Sequence, residues 1–394
     1  MKVHIVTKAP FPIGMASTQR IACYAEALTK SGITNEIVVV KRTETKEECK
    51  NPSPDGGTAR SSFHYVGGTT QRSSNKFLGK LFDIVDRFKS IAYLNGTVKS
   101  GDVILMYLLD EVTFPLFLIL SSHLKGVSVV RDFCEYPYAT RQANTITNFI
   151  RKCYLKMVLP LYDGTICISH SLLDVSNKYA PQKHHTLVPI MVGDQNTNLK
   201  HQHPKPYIFH GGSMLERKDA IIGTMKAFVD ANTKLGKKLD FILAGPKSPH
   251  IDELNSIICK NGMKDCVFFL PTMDKTTLQE YQNGAFLTIL NKNDNEQNRN
   301  GFSNKLGEIL IAGTPIITTT VGEAKYWLKD GESAFIVSPH NPQLISDKII
   351  EAYNNEELRR KIGENGKKVA IRYFNTTCQG DRLSSFLNEI SLKS

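Results

Sequence analysis

Residues 300–319 combine side chains and backbone features that suit a phosphorylated sugar ligand. Their sequence, NGFSNKLGEILIAGTPIITT, predicts a loop, a helix, a turn and a β-branched strand. Gly301 permits close approach of the backbone to a ligand, and Ser303 or Asn304 can cap the helix. The free N–H groups at the helix start suit an anionic phosphate, and the carboxylate of Glu308, one turn deeper, suits sugar hydroxyls. A surface helix of any α/β protein is the alternative interpretation of this pattern.

A second loop with phosphate-binding character lies between a predicted strand and a predicted helix at residues 210–219, with the sequence HGGSMLERKD. Its glycines, including Gly212, bring backbone N–H groups close to a ligand, and Lys218 adds a point charge. The spacing is neither that of a Walker loop nor that of a Rossmann G-x-G-x-x-G loop. Together with residues 301–308, this loop indicates two segments that close on a diphosphate. Pro271 lies at the end of another predicted strand, where backbone groups can contact the edge of a nucleobase.

Two further candidates lie in the first half of the chain, at predicted strand ends. Ligands of doubly wound sheets bind beyond the carboxyl ends of the strands, so Gly14 in the loop 10–18 is a candidate ligand contact. A plain turn glycine is the alternative. A strand predicted at residues 128–131 is followed by Asp132 and Glu135, so two carboxylates emerge at a strand end. We assign a functional role to Glu135, and an unpaired surface acid is the alternative.

The order of the predicted elements indicates an α/β protein with two Rossmann-like, doubly wound parallel-sheet domains that face a central cleft. A chain of 394 residues is too long for one ordinary core, and strands alternate with helices on both sides of a polar stretch that lacks an apolar pattern. The predicted divisions are an N-terminal domain at 1–195, a linker at 196–205, a C-terminal domain at 206–375, and a helix at 376–394 that packs back on the N-terminal domain.

The net charge of +11 is carried mostly by the first half, which favours an anionic partner such as a phosphorylated lipid, a membrane surface or a nucleic acid. A solvated basic surface is the alternative, and the lack of aromatic platforms or a recognised module argues against nucleic acid. The basic, amphipathic helix predicted from residue 76 to about 94 suits an anionic membrane surface. Packing of its apolar side against the core, with a solvated basic face, is the interpretation that we favour for this helix.

The location predicted from the sequence is cytoplasmic, with peripheral contact at the inner membrane surface. The eight cysteines show no C-x-x-C pair and no zinc-ligand spacing, which is typical of reduced thiols. We find no secretory apolar region at the N-terminus, and the longest apolar run, at residues 112–120, is too short to span a bilayer.

The C-terminal half resembles a retaining GT-B glycosyltransferase of the family 4 type, a glycosyltransferase group 1 domain. The similarity extends over most of residues 206–374. It rests on the glycine loop Gly212-Ser213-Met214 with Lys218-Asp219, and on the segments 241–245, 300–315, 321–323, 330–332, 354–363 and 372–374. In the N-terminal half, the segments 10–20, 162–169 and 188–190 also look similar.

The resemblance implies transfer of a sugar from a nucleotide diphosphate sugar to an acceptor hydroxyl, with retention and without a bound metal or other cofactor. In such a reaction Lys218 and the N–H groups near Gly301, Phe302 and Ser303 would stabilise the leaving diphosphate. Glu308 would hold the ribose hydroxyls of the nucleotide.

The resemblance also implies that the N-terminal domain binds the acceptor, a glycan or lipid-linked glycan of surface polysaccharide or other glycan synthesis. Gly14 would lie near the phosphates, and Glu135 near the reacting hydroxyl. The sequence Asn293-Asp294-Asn295-Glu296 has the composition of a metal site but lacks the D-x-D order, so we expect no metal there.

Two positions depart from the family pattern. The first glutamate of the family's E-x7-E motif is Asn300 here, and the arginine expected after the phosphate-loop glycine is Ser213. Asn300 can hydrogen-bond a sugar hydroxyl but supplies no charge, and the loss of the arginine leaves Lys218 as the main fixed cation. Two rival functions stay open: a nucleotide-sugar 2-epimerase, which shares the same fold, and a non-catalytic partner in glycan assembly, which these two departures favour.

Overall fold

The computed structural model describes residues 1–109, 111–138, 144–193 and 197–392, and the chain divides into two compact α/β units. The first unit consists of Met1–Met191 together with Thr376–Ser394, and the second of Val192–Asn375. Each unit is built on one sheet of predominantly parallel strands, which confirms the predicted fold class of two doubly wound parallel-sheet domains. The predicted domain boundary at residues 195 and 196 lies outside the described residues.

The first unit contains an eight-stranded sheet with the order β3-β4-β2-β1-β5-β6-β7-β8, in which only β3 and β4 pair antiparallel. Its strands are β1 Lys2–Thr7, β2 Thr34–Val39, β3 Asp55–Gly57, β4 Ser61–Tyr65, β5 Val103–Tyr107, β6 Ser128–Phe133, β7 Gly164–Cys167 and β8 His184–Leu187. The central strands are rich in β-branched residues, and β5 is buried along its whole length. Such continuous apolar runs are typical of parallel strands that are covered on both faces.

Five helices connect these strands: α1 Ala16–Lys30, α2 Lys76–Thr97, α3 Thr113–His123, α4 Thr145–Cys153 and α5 His170–Tyr179. Helix α4 ends at Cys153, and the chain continues through the wider turn Tyr154–Val158 and the tighter turn Leu159–Leu161. Pro160 lies in that last turn, and because proline lacks an N–H group it cannot continue a regular helix.

The second unit contains a six-stranded parallel sheet with the order β11-β10-β9-β12-β13-β14. Its strands are β9 Tyr207–Gly211, β10 Asp240–Ala244, β11 Val267–Leu270, β12 Leu287–Leu290, β13 Ile316–Thr319 and β14 Phe335–Val337. Its helices are α6 Glu216–Asp219, α7 Ile221–Lys234, α8 Ile251–Lys260, α9 Lys275–Gly284, α10 Glu296–Asn300, α11 Asn304–Ala312, α12 Ala324–Trp327, α13 Pro342–Asn354 and α14 Glu356–Tyr373. Buried side chains of both layers, such as Phe228 and Phe241 with ring centres 5.2 Å apart, form its core.

The last helix, α15 Thr376–Ser391, belongs to the first unit and packs on α1. Gly380 allows this close packing, since a Cβ atom there would lie 2.6 Å from the Cβ of Ala27. The hydroxyl groups of Ser384 and Ser31 lie 2.9 Å apart at the same contact. The chain therefore returns to its first unit after completing the second.

Candidate active site

The loop that follows β9 packs closely against the turn that follows β10, and each segment requires a glycine. Gly212 has a φ of 122°, which other residues rarely adopt, and its N–H donates to the Ala244 carbonyl at 2.8 Å. A Cβ atom on Gly245 would lie 2.2 Å from the carbonyl oxygen of Gly212. The loop lies at the carboxyl ends of β9 and β10, where parallel sheets bind their ligands.

A cluster of lysines around one carboxylate lies beside this loop. Asp219 is buried, and its Oδ1 and Oδ2 lie 2.9 Å from Lys292 Nζ and 3.4 Å from Lys305 Nζ, respectively. Ser213 Oγ donates to Asp219 Oδ2 at 3.0 Å. A Cβ atom on Gly212 would lie only 2.8 Å from Lys305 Nζ. Lys305 on α11 therefore reaches the glycine loop, and the two segments that the sequence singled out, 210–219 and 301–308, lie side by side.

Burial and mutual interaction shift the ionisation of the cluster. Burial opposes ionisation of Asp219, but Lys292 and Lys305 hold the pKa of this carboxyl well below its usual range. Burial lowers the pKa of Lys305 to about 8, although Asp219 partly counteracts that effect. Burial, with a contribution from the nearby Lys305, also lowers the pKa of His210 to about 4. At neutral pH the imidazole is therefore neutral, whereas the lysines carry positive charge.

Helix α6, which carries Lys218, is fixed by asparagine side chains from the segment before α11. Asn293 Nδ2 donates to the Glu216 carbonyl at 2.6 Å, and Asn298 Nδ2 donates to the Lys218 carbonyl at 3.3 Å. The Lys218 side chain is exposed. The segment 293–296, considered above for its metal-site composition, thus uses the Asn293 amide to position the backbone. Among the residues that the structure describes, no group of three or more histidine, cysteine or carboxylate side chains is placed to hold a metal ion.

The start of α11 has the predicted transition from loop to helix, and the Gly301 N–H before it donates to the Gln297 carbonyl at 3.0 Å. The helix begins at Asn304, Ser303 is the N-cap residue, and the Ser303 side chain makes no capping hydrogen bond. A Cβ atom on Gly301 would lie 2.9 Å from the Gln297 carbonyl oxygen, so the backbone is closely packed at this glycine. The helix ends at Gly313, whose φ of 75° is typical of a glycine C-cap.

Two side chains in this segment have surroundings that the sequence did not indicate. Asn300 closes the short helix α10, and its amide nitrogen donates to the Glu296 carbonyl at 2.7 Å, so that group is engaged within the helix. Phe302 is buried and packs on Trp327 and Phe374, with ring centres 6.3 and 5.4 Å away. The part of Phe302 available for a ligand is therefore its backbone, and its ring anchors the loop.

Glu308 lines a small cavity of about 20 Å³ together with His210 and Lys305. It is half-buried, and burial raises the pKa of its carboxyl, although Lys275 and Lys305 partly oppose that shift. Within the described part of the chain, no protein group donates a hydrogen bond to this carboxylate. A buried acceptor without a donor suits a ligand hydroxyl.

A larger cavity of about 500 Å³ lies next to the glycine loop and includes Pro271, for which the sequence predicted contact with a nucleobase. Its lining residues are Met214, Gly245, Pro246, Lys247, Ser248, Ile251, Phe269, Leu270, Pro271 and Thr272. The cavity has the volume of a small-molecule site. Met214, one of its lining residues, lies two positions after Gly212 in the glycine loop.

In the first unit, the loop around Gly14 is fixed by residues of the polar segment 43–74. The Ile13 N–H donates to Asn51 Oδ1 and the Asn51 amide donates to the Ile13 carbonyl, both at 2.8 Å. A Cβ atom on Gly14 would lie 2.1 Å from Thr18 Oγ1, so this position requires glycine for packing. The segment 43–74 contains β3 and β4 and holds the Gly14 loop.

The expectation that two carboxylates emerge at the end of β6 is wrong for one of them. Asp132 lies within β6, is fully buried, and pairs with the guanidinium group of Arg20 at 2.9 Å. Arg20 also donates to the carbonyls of Val188 and Pro189, each at 2.9 Å. The pair therefore joins α1, β6 and the segment that follows β8. Glu135 follows the strand and is exposed.

The sequence-based assignment missed the lysines other than Lys218. Lys305 is the second residue of α11, where the positive end of the helix dipole disfavours a cation, so its position was an available signal for a nearby anion. Lys292 follows a strand and resembles any surface lysine in sequence, although it is buried. Its pairing with Asp219 joins residues 73 positions apart, which no local pattern reveals.

Comparison with known proteins agrees with this geometry. Residues 193–369 match the family model described as glycosyl transferases group 1. An uncharacterized glycosyltransferase of Methanocaldococcus jannaschii is 36% identical over 73 residues, which cover 18% of this chain and 21% of that protein. The capsular polysaccharide biosynthesis glycosyltransferase CapM of Staphylococcus aureus is 36% identical over 90 residues, covering 23% of this chain and 24% of CapM. The matches thus span about a quarter or less of these curated relatives.

Solved structures share the fold over the whole chain. Sucrose-phosphate synthase of Thermosynechococcus elongatus superposes with a TM-score of 0.73 at 14% identity, covering 100% of both chains. Anabaena HepE in complex with UDP-glucose superposes with a TM-score of 0.68 at 12% identity, covering 99% of this chain and 100% of HepE. The second unit therefore matches the glycosyl transferases group 1 model over most of its length, in a chain with the GT-B type of fold.

Proposed function

We propose that this protein is a retaining glycosyltransferase of the family 4 type, which moves a sugar from a nucleotide diphosphate sugar to an acceptor hydroxyl. The observation that carries this proposal is the lysine cluster around Asp219, which lies against the Gly212 loop in the unit that matches the group 1 family model. Such a concentration of positive charge beside a glycine loop and a helix start suits a diphosphate.

Three parts of the second unit contact the donor in this proposal. The cavity that includes Pro271 takes the nucleobase, and the carboxylate of Glu308 accepts hydrogen bonds from the ribose hydroxyls. Negative charge develops on the leaving diphosphate as the glycosidic bond breaks. Lys218, whose backbone carbonyl accepts a hydrogen bond from Asn298, and the N–H groups at the start of α11 stabilise that charge. In this proposal they take the place of a metal ion.

The first unit binds the acceptor in this proposal. Gly14 and Glu135 both follow carboxyl ends of parallel strands, namely β1 and β6, which lie at the same edge of the sheet. Glu135, exposed beyond its strand, is the candidate for contact with the reacting hydroxyl. CapM is named for capsular polysaccharide biosynthesis, which supports a glycan or lipid-linked glycan as the acceptor.

Peripheral contact with an anionic membrane is part of the proposed function, and α2 supports it. Phe77, Leu81, Ile84 and Phe88 follow each other at helical spacing and form an exposed stripe, with Phe77 76% and Phe88 65% exposed. The buried residues of α2 include Asp86, on the opposite side of the helix. The sequence favoured core packing of the apolar side. The structure instead turns it outward, and Asp86 on the inward side pairs with Arg42 at 3.0 Å.

Neighbouring groups extend this surface and give it positive charge. Helix α3 packs against α2 and exposes Phe117 and Leu120. Lys76, Lys80 and Lys89 are exposed and flank the stripe on α2. Apolar side chains with lysines at their margin are typical of helices that lie in the interface of an anionic bilayer. No helix in the described part of the chain is long and apolar enough to cross a membrane.

Ligand-induced stabilisation of the full chain tests the proposed function. UDP-, GDP- and ADP-sugars are each added in the presence of EDTA, and the melting temperature is measured. We expect one base to raise it clearly, and the absence of any shift with every donor would contradict the proposal. Incubation with the stabilising donor alone then separates the two enzyme classes. An epimerase converts the donor without an acceptor, and a non-catalytic assembly partner leaves it unchanged even with acceptor present.

A further inference from the structure

We propose, resting on the donor site proposed above, that Lys305 supplies the fixed cation for the donor diphosphate at the position of the glycine loop where Ser213 supplies none. The charge that this site requires comes from the first turn of α11 instead of from the loop itself. Lys218 is then one of two cations that contact the diphosphate.

The position of Lys305 carries this inference. Its Cε and Nζ would lie 2.6 and 2.8 Å from a Cβ atom on Gly212, so the ammonium group occupies the space beside the loop backbone. Ser213, the next residue, points its hydroxyl group at Asp219. Lys305 also lines the small cavity with Glu308. The ammonium group therefore lies between the glycine loop and the carboxylate that we assign to the ribose.

Lys305 shares its ion-pair partner with another lysine. Among the described residues, Lys292 and Lys305 both pair with Asp219, and Lys292 is the nearer at 2.9 Å. Glu308 is a further carboxylate near Lys305 and lines the same small cavity. The Lys292 side chain is 9% exposed, whereas that of Lys305 is 22% exposed and its Nζ is 3.4 Å from the carboxylate. Lys305 thus keeps part of its surface open to a ligand. It also lies at the positive end of the α11 dipole, an unfavourable place for a cation without a nearby anion.

The first experiment compares nucleoside diphosphate binding with nucleoside binding by calorimetry. UDP, GDP and ADP are titrated into the full chain, and the tightest of them is used together with its nucleoside. Lys305→Met keeps the length of the side chain and removes its charge. We expect a roughly 10- to 100-fold weaker affinity for the diphosphate and an unchanged affinity for the nucleoside. Lys226→Met, an exposed lysine on α7, is the matched control and should change neither value.

A second variant moves the charge back to the glycine loop. Adding Ser213→Arg to Lys305→Met places a guanidinium group next to the vacated space, and we expect it to recover most of the diphosphate affinity. Recovery would not follow if Lys305 only held Asp219 in place, because the arginine comes from a different element. Equal diphosphate affinity of the wild type and Lys305→Met would overturn the inference while leaving the proposed donor site intact. A wild type that binds none of the three diphosphates would overturn both.

The pH dependence provides a test that does not require loss of the side chain. The ionisable groups that face Lys305 are Asp219, Lys292, Lys218, His210 and Glu308. Because the pKa of Lys305 is about 8 in the free protein, diphosphate affinity should fall as the pH rises above that value. Arginine stays charged there, so Lys305→Arg should keep its affinity up to pH ~9.5. A parallel decline in wild type and Lys305→Arg would contradict the role of Lys305.

Discussion

Lys292 Nζ lies 2.9 Å from Asp219 Oδ1, and both side chains are buried in the second unit. The contact ties the end of α6 to the chain that follows β12. It fixes the glycine loop at its far end, because Asp219 also accepts the hydroxyl hydrogen of Ser213. Removal of the carboxylate charge should therefore affect both the stability of the unit and the shape of the loop.

Asp219→Asn should destabilise the second unit by about 3 to 5 kcal/mol, since it leaves buried ammonium groups without their counter-ion. Thermal unfolding of the variant measures this loss. Asp252→Asn, at an acidic position on the surface helix α8, is the control and should stay within about 0.5 kcal/mol of the wild type. An Asp219→Asn protein as stable as the wild type would show that the pair contributes little.

The depressed pKa of Asp219 predicts that the free energy of unfolding decreases at acid pH. Its pKa is depressed in the folded protein, so its contribution is complete above the ordinary carboxyl pKa near 3.8 and decreases as the pH falls below that value. The wild type should therefore lose its advantage over Asp219→Asn as the pH is lowered through this range. Urea unfolding at a series of pH values measures the difference, and a difference that grows toward low pH would contradict the assignment.

Glu308→Gln should weaken binding of the nucleoside itself, because the carboxylate accepts hydrogen bonds from ribose hydroxyls more strongly than an amide does. We expect a loss of about 1.5 to 3 kcal/mol in binding free energy, measured by calorimetry with nucleoside and 2′,3′-dideoxynucleoside. The two ligands should differ in affinity for the wild type and become similar for the variant. Glu253→Gln, on the surface of α8, is the control, and unchanged nucleoside affinity in Glu308→Gln would reject the ribose contact.

The exposed stripe of α2 predicts binding to anionic vesicles. Phe77→Asp combined with Phe88→Asp should lower the affinity for phosphatidylglycerol-containing vesicles at least about 10-fold in co-sedimentation, because the stripe loses apolar area and gains negative charge. Ile371→Asp, at an apolar position on α14 that is 51% exposed, is the control and should bind like the wild type. Vesicles of phosphatidylcholine alone should bind less than the anionic ones. Equal binding by the wild type and the double variant would exclude this surface.

Local patterns in the sequence were sufficient to predict the elements that carry the site. Residues 301–319 form the predicted loop, helix, turn and strand, with α11 ending at the Gly313 C-cap before β13. These features depend on residues within one or two turns of each other. The prediction of which face of α2 is buried was wrong. Both faces contain apolar residues, and only tertiary contacts decide which one packs inward.

Contacts between distant segments explain the remaining differences. Asn51 holds the Gly14 loop by hydrogen bonds to Ile13 across 38 positions, in a segment whose composition resembles a loop. Asp132 follows a predicted strand end in sequence, yet β6 extends far enough to bury it against Arg20. Neither contact can be recognised from the neighbouring sequence, because each depends on how the whole sheet packs.

Turnover of Lys218→Ala tests the central claim most directly. The donor that stabilises the wild type is incubated with EDTA and a lipid-linked glycan acceptor, and nucleoside diphosphate release and the anomeric configuration of the product are measured. We predict wild-type transfer with retention and a rate lower by about 10²- to 10³-fold in folded Lys218→Ala, as expected for loss of one preorganised charge. Lys226→Ala should react like the wild type. An undiminished rate in Lys218→Ala, or a product of inverted configuration, would contradict the proposed mechanism.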